Sequence, residues 1–281
     1  MAHLTAPQLM RRACLALCLA FPLAGASVAD TVLDRAVFAD QIGQRQSSFL
    51  ARDLTTGAQC ILADSDLETR HAPWSTFKIP NTLIALETGV AGGLEAWRDW
   101  DRARRPAAAY WPREWRQGQT LQSAFRRSAL WYYQDIAIEV GAQTYRDILS
   151  NWDYGNADAP DGSDGFWLGG PLALSITEQV RFLERLLTGQ LAVSDSALSG
   201  LIRAAETGRF GTQTLYGKTG AGRVQSVQYT AEFEGWYVGW LGSDDAARVV
   251  FAHHSKGPNF SAIRTFRQDF ATVLLRACGY N

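Results

Sequence analysis

The sequence predicts an α+β fold of two lobes. Both ends of the chain build a sheet with outer helices, and the middle builds a helical lobe. Three observations carry this. Strand-like apolar runs occur early, over Ser47–Leu54 and Gln59–Ala63, and they return after Gly208. Between Ala91 and about Ala205 such alternation is scarce and amphipathic segments replace it. A chain of 281 residues with 47% hydrophobic content holds enough apolar material for one large domain or two modest ones. The expected division is a leader at 1–29 and a single domain at 30–281. Its sheet lobe takes about 30–92 plus 206–281, and its helical lobe about 93–205.

Taken in order, Arg11-Arg12 precede an apolar run from Ala13 to Ala24, and small residues follow. A basic start, a short apolar middle and a small-residue exit describe a secretory signal peptide, cleaved after Ala26 or Ala29. The expected compartment is the periplasm. Val32–Ile42 carries apolar residues at roughly helical period and predicts an opening helix. Ser47–Leu54 and Gln59–Ala63 form a hairpin about a turn at Thr55-Thr56-Gly57. A polar connection leads to a helix that starts at Ser75, with Pro80 in its first turns and Gly89 as its stop. Helical segments follow at Leu121–Val140, Thr144–Trp152 and Thr177–Leu187. Strands are expected at Thr212–Gly217, at Ser226–Trp240 as a pair broken near Glu234-Gly235, and at Arg248–His254. Ala262–Ala277 closes the chain as a helix.

The formal net charge is −1, and there is no basic tract. That balance argues against a nucleic-acid surface or a polybasic membrane surface. No run of roughly 18 apolar residues would cross a bilayer, and no internal repeat is visible. Cys60 and Cys278 remain beyond the leader. An exported compartment permits a disulfide between them, and two buried free thiols are the alternative.

The stretch richest in chemistry is Ser75-Thr76-Phe77-Lys78. Residues three apart share a helix face, so a hydroxyl and an amine point into one site. The first backbone N–H groups of a helix lack internal partners and favour negative charge. Two later stretches could meet it. Ser128-Ala129-Leu130 lies in a helical segment, where taken alone it is an ordinary helix serine. Lys218-Thr219-Gly220 ends a predicted strand, where a cation beside a hydroxyl suits a carboxylate-bearing ligand and Gly220 lets it approach the backbone. Each is weak singly. In this order they form the arrangement of penicillin-recognising serine enzymes.

With Tyr154-Gly155-Asn156 and Phe166-Trp167-Leu168 added, the chain resembles the class D (oxacillinase-type) serine β-lactamases from about Ser47 to the C-terminus. The resemblance implies an antiparallel sheet flanked by helices with an inserted all-helical lobe. It implies that Ser75 attacks the β-lactam carbonyl to form an acyl-enzyme. It also implies that Lys78 takes up dissolved carbon dioxide, supplied as bicarbonate, to become an N-carboxylated general base, and that no other cofactor is needed. A lysine is protonated at neutral pH unless burial disfavours its charge. Trp167, a pure donor, would stabilise the carbamate. Ser128 would pass a proton to the departing nitrogen. Lys218 and Thr219 would hold the substrate carboxylate, beside Gly220. The N–H groups of Ser75 and Ala221 would form the oxyanion hole. Arg264 is the expected carboxylate-binding arginine, with Arg267 as the alternative.

The chain departs from the family pattern in two places. Leu130 stands where valine is usual and would sit near the carbamate, and Gly169-Gly170 follow Trp167-Leu168 where Glu-Gly is common. Trp131-Tyr132-Tyr133 divide between cleft and core, and Trp236 and Trp240 read as core residues of a strand. His253-His254 and His71 show no metal-ligand spacing, so a metal centre is not expected. Competing readings are a β-lactam receptor that traps the acyl-enzyme and a cell-wall D,D-peptidase. Receptors are usually fused to transmembrane helices, and Tyr154-Gly155-Asn156 with Trp167 argues against the peptidase.

Overall fold

The computed structural model describes residues 1–2, 29–224, 232–243 and 246–281. The apolar run of the expected leader and its first cleavage site lie outside these residues. The expected opening helix is instead a strand, β1 (Thr31–Leu33), then a 3-10 turn (Arg35–Phe38) and a short helix, α1 (Ala39–Ile42). Asp34 accepts the Ala36 N–H at 2.9 Å and ends the strand. Val32 and Leu33 are thereby free to pair with Ile61 and Leu62. An apolar run this short fits either period.

The hairpin stands as expected in β2 (Gln46–Asp53) and β3 (Gln59–Leu62). Asp53 Oδ1 accepts the N–H groups of Thr55 and Thr56, each at 2.9 Å, and so shapes the turn. The expected Ser75 helix begins as a 3-10 turn (Trp74–Phe77) and becomes α2 (Lys78–Glu87). The middle region is not wholly helical, because β4 (Trp97–Arg98) and β5 (Gln119–Thr120) form a ribbon. The expected segment Leu121–Val140 is two helices, α3 (Leu121–Arg127) and α4 (Leu130–Val140). Ser128 breaks them with a left-handed backbone, φ 61°. Next come α5 (Ala142–Asn151), α6 (Ile176–Leu187) and α7 (Asp195–Ala205). Ser175 and Glu178 cap α6 reciprocally.

The last third supplies β6 (Glu206–Phe210), β7 (Gln213–Arg223), β8 (Phe233–Gly242) and β9 (Ala247–Gly257). β8 runs unbroken through Glu234-Gly235, where a break was expected, because both residues pair with β7 and β9. The part of that expectation at 226–231 lies outside the described residues. The closing helix is α8 (Phe260–Ile263) and α9 (Phe266–Ala277), interrupted at Arg264-Thr265.

Among the described residues, seven strands form one sheet in the order β1-β3-β2-β9-β8-β7-β6. All neighbours are antiparallel except β1 and β3, so the sheet is mixed. The β2–β9 pairing, from Gln46↔Lys256 to Asp53↔Val249, joins the two ends of the chain. Side chains alternate between two cores. Trp236, Val238 and Trp240 face α2 and the middle helices, whereas Tyr237, Leu241 and Phe251 face Phe270 and Leu274 of α9. Trp236 and Trp240 are thus core residues, as expected. Helix α6, although it belongs to the middle of the chain, packs on β2 and β9, with Arg52 and Glu184 paired at 2.9 Å.

Cys60 and Cys278 form a disulfide that ties β3 to the end of α9 across 218 residues of chain. Closing so long a loop restricts the unfolded chain. Cys278→Ser should lower unfolding free energy by about 2–5 kcal/mol. Urea midpoints of the oxidised parent and the variant check this, and equal midpoints would exclude a stabilising role.

Candidate active site

The 3-10 turn at Trp74–Phe77 is held from several sides. The Trp74 N–H donates to the Trp167 carbonyl at 3.0 Å. Its indole Nε1 donates to Glu234 Oε1 at 3.0 Å, and its backbone is left-handed, φ 50°. The Thr76 N–H and Oγ1 both donate to the Pro73 carbonyl, at 3.1 and 2.6 Å. Gln179 Nε2 donates to Thr76 Oγ1 at 3.2 Å. From Trp74 to Lys78, only Ser75 is not buried. The turn is therefore fixed, and the hydroxyl it presents is accessible.

Lys78 Nζ donates to Ser75 Oγ at 3.1 Å. The lysine is 1% exposed, and burial pushes its amine down from the ordinary 10.5 to about 7. Nζ stands 4.9 Å from the centre of the Tyr133 ring, whose hydroxyl pairs with Thr82 Oγ1 at 2.8 Å. Of Trp131-Tyr132-Tyr133, all three are buried, and Tyr133 is the one beside the lysine. Leu130 lies one turn before Tyr133 on the same face of α4, half-buried against the core.

Trp167 stacks on Phe77 at 5.3 Å, and its Nε1 is buried with no hydrogen-bond partner among the described residues. A buried donor left unpaired costs roughly 1–3 kcal/mol, so this indole is suited to an acceptor that the side chains do not supply. The Tyr154-Gly155-Asn156 stretch ties down the chain that follows Trp167. Asn156 Nδ2 donates to the Pro171 carbonyl at 2.8 Å, and its Oδ1 accepts the Ala173 N–H at 3.0 Å. Tyr154 packs on Phe77, at 6.0 Å between rings.

Strand β7 comes to meet the turn. β6 pairs with it only as far as Tyr216, so Lys218 onward forms a free edge. A Cβ at Gly220 would lie 2.7 Å from the Pro73 carbonyl oxygen and 3.0 Å from the Ser75 nitrogen, and one at Gly222 would overlap the Trp74 ring. Only glycine allows this approach. The Gly220 carbonyl turns toward β8, 3.3 Å from the place of a Gly235 Cβ. By alternation, the polar backbone groups of Thr219 and Ala221 face the free edge.

Lys218 points to the Lys78 side and lies 5.9 Å from the Phe125 ring of α3, one turn before Ser128. Burial, together with the charges of Lys78 and Arg267, pushes its amine well below the lysine range. Thr219 alternates to the face of its cross-strand neighbour Tyr237. The interruption of the closing helix leaves Arg264 exposed. The arginine that reaches β7 is Arg267, which is 9% exposed and whose Nη1 donates to the Gly220 carbonyl at 3.1 Å. Arg264 thus stays open to solvent, and its alternative Arg267 is buried against β7.

Trp74 and Glu234 belong to this site without having been singled out for it, and Tyr133 is the one of its aromatic run that lies beside Lys78. Trp74 and Tyr133 adjoin recognised motifs, and that adjacency was their available signal. Glu234 is distant in sequence and shows none. Gly220→Ala should push the Ser75 turn away and lower stability by about 1–3 kcal/mol through overpacking. Thermal unfolding checks this, and an unchanged midpoint would refute the tight fit.

The sequence matches the penicillin binding protein transpeptidase domain over residues 46–272. It is 37% identical to the β-lactamase OXA-3 of Pseudomonas aeruginosa over 213 residues, 75% of this chain and 71% of that protein. The structure is similar to that of a class D β-lactamase from Sebaldella termitidis, with a TM-score of 0.78 and 25% identity, over 90% of this chain and 100% of that one. It is also similar to the C-terminal domain of the Bacillus licheniformis BlaR penicillin-receptor, with a TM-score of 0.78 and 26% identity, over 90% and 98% of the two chains. With its serine, buried lysine and free strand edge, this chain belongs to the class D serine β-lactamases.

Proposed function

We propose that this enzyme opens β-lactam rings through an acyl-enzyme on Ser75, with N-carboxylated Lys78 as its general base. The observation that carries the reading is a buried amine, pushed down to about 7, within 3.1 Å of the Ser75 hydroxyl. Near neutral pH much of that amine is uncharged and nucleophilic toward carbon dioxide. The unpartnered Trp167 Nε1 suits the group chemically, because a donor can hold a carboxylate oxygen and cannot hold an ammonium. When bound, the carboxylate supplies oxygens able to accept a proton.

The chain's own residues fill the remaining roles. Ser75 Oγ attacks the lactam carbonyl carbon, and the ring C–N bond breaks. Ser128, at the left-handed end of α3, delivers a proton to the departing nitrogen. Backbone N–H groups of Ser75 and Ala221 take the oxyanion. Lys218 and Thr219 receive the substrate carboxylate with Arg264, which stands exposed where the closing helix is interrupted, or with Arg267 in its place. Water then cleaves the ester and frees Ser75.

Leu130 bears on the last step, because it shares a face with Tyr133 beside Lys78. The likeness to a penicillin-receptor domain supports a second reading, a long-lived acyl-enzyme. The leader pattern over 1–29 supports export to the periplasm, and no helix among the described residues is long and apolar enough to cross a membrane.

A chromogenic cephalosporin, with and without bicarbonate, tests the route, with turnover and intact mass recorded together. Many turnovers, increased by bicarbonate and abolished in Ser75→Ala, are expected. A stable adduct without turnover would establish the receptor reading instead. Removing the indole donor in Trp167→Phe should raise the bicarbonate needed for half-maximal rate by at least about tenfold, the scale of one hydrogen bond to a charged group. Rates at fixed bicarbonate should fall as pH drops below about 7, where Lys78 becomes the ammonium. A bicarbonate response equal to the parent's in Trp167→Phe would remove the indole from the mechanism.

A further inference from the structure

Behind the Ser75 turn the fold gathers three side chains from separate segments. His71 lies in the connection before the turn, Glu234 on β8 and His254 on β9. His71 Nδ1 stands 3.2 Å from Glu234 Oε2, and His254 Nε2 stands 3.5 Å from the same oxygen. The three ligand atoms lie within 4.8 Å of one another. His253 alternates to the other face, where it meets Ser47 Oγ and the Arg267 carbonyl, each at 2.8 Å. Spacing in the sequence hid this cluster, because the three residues come from separate segments.

We propose that His71 Nδ1, Glu234 Oε2 and His254 Nε2 form a binding site for one borderline divalent cation, zinc foremost. Two imidazole nitrogens and one carboxylate oxygen are a zinc ligand set that leaves a fourth position for water. Tetrahedral bonds of about 2.0–2.1 Å separate ligand atoms by about 3.3 Å, and two of the three separations already have that size. An independent observation points the same way. His254 Nε2 is buried, on a residue 5% exposed, and makes no hydrogen bond among the described residues. Glu234 Oε2 lies 3.5 Å from it, too long for a good hydrogen bond and close to the separation of two ligands on one ion.

Neighbouring groups hold the three side chains in place, as the hydrogen-bond partners of metal ligands do. Glu234 keeps its other oxygen on the Trp74 indole at 3.0 Å. The backbone of His71 is fixed by two hydrogen bonds with Leu174, each 3.0 Å. The His71 and His254 rings stack at 4.1 Å. Lone pairs lie in the ring planes, so the ion would turn the rings toward itself, and half-buried His71 has the room to turn. The cation would anchor Glu234, and through it Trp74, the residue before the nucleophile. It would be a support for the turn and would not touch Ser75, and the proposal stands whether or not Lys78 is carboxylated.

The test uses the full mature chain after chelation and dialysis. Zinc is titrated by calorimetry and cobalt(II) by visible absorption, with thermal unfolding in parallel. One ion per chain, ligand-field bands of a low-symmetry cobalt site and a raised melting temperature are expected. His71→Gln, at the half-buried position, should weaken zinc binding at least about tenfold, as should Glu234→Gln and His254→Gln where these fold. Ser75→Ala should bind zinc as the parent does. No saturable binding at millimolar zinc, or an affinity unchanged in folded His71→Gln, would overturn the proposal and leave the cluster a hydrogen-bonded support alone.

Discussion

The site depends on an amine buried with no anion beside it. Among the described residues Lys78 enters no ion pair, and its one strong contact is the Ser75 hydroxyl. The fall from 10.5 to about 7 corresponds to about 5 kcal/mol at about 1.36 kcal/mol for each pH unit. The fold carries that cost. Between the two values the unfolded chain holds one more proton than the folded one, so stability from this group rises with pH from about 7 to 10.5. Below about 7 the full penalty applies. The Tyr133 ring, 4.9 Å from Nζ, stands on one side of the amine where water would relieve it.

The long-range sheet places the other groups. Pairing of β2 with β9 closes the two ends of the chain into one sheet, and that sheet sets β7 beside the turn. The free edge of β7 starts where β6 stops, at Tyr216, and the site begins two residues later at Lys218. Gly220 and Gly222 then let strand and turn touch. Ser75 and the free edge of β7 thus come from segments about 140 residues apart, joined by strand register.

Local chemistry was legible in the sequence. The helix face shared by Ser75 and Lys78, the Thr55-Thr56-Gly57 turn, and the periods of α5 and α6 each follow from a few neighbouring residues. Longer-range features were not. Val32-Leu33 could join a helix or a strand until Asp34 and β3 decided between them. Glu234-Gly235 looked like a turn because the sheet that spans it is invisible in a single strand. Arg264 and Arg267 share a helix period, and only the interruption before Phe266 separates their surroundings. His71, Glu234 and His254 have no common spacing at all, since three different segments bring them together.

Trp74 and Ser128 flank the catalytic machinery, and both hold left-handed backbone angles, φ 50° and 61°. Such angles cost non-glycine residues on the order of 1 kcal/mol or more. A glycine at 128 would relax the end of α3 but remove the hydroxyl to which the proposed mechanism assigns the proton for the departing nitrogen. Under the proposed mechanism the backbone strain at 128 is a cost that comes with the hydroxyl.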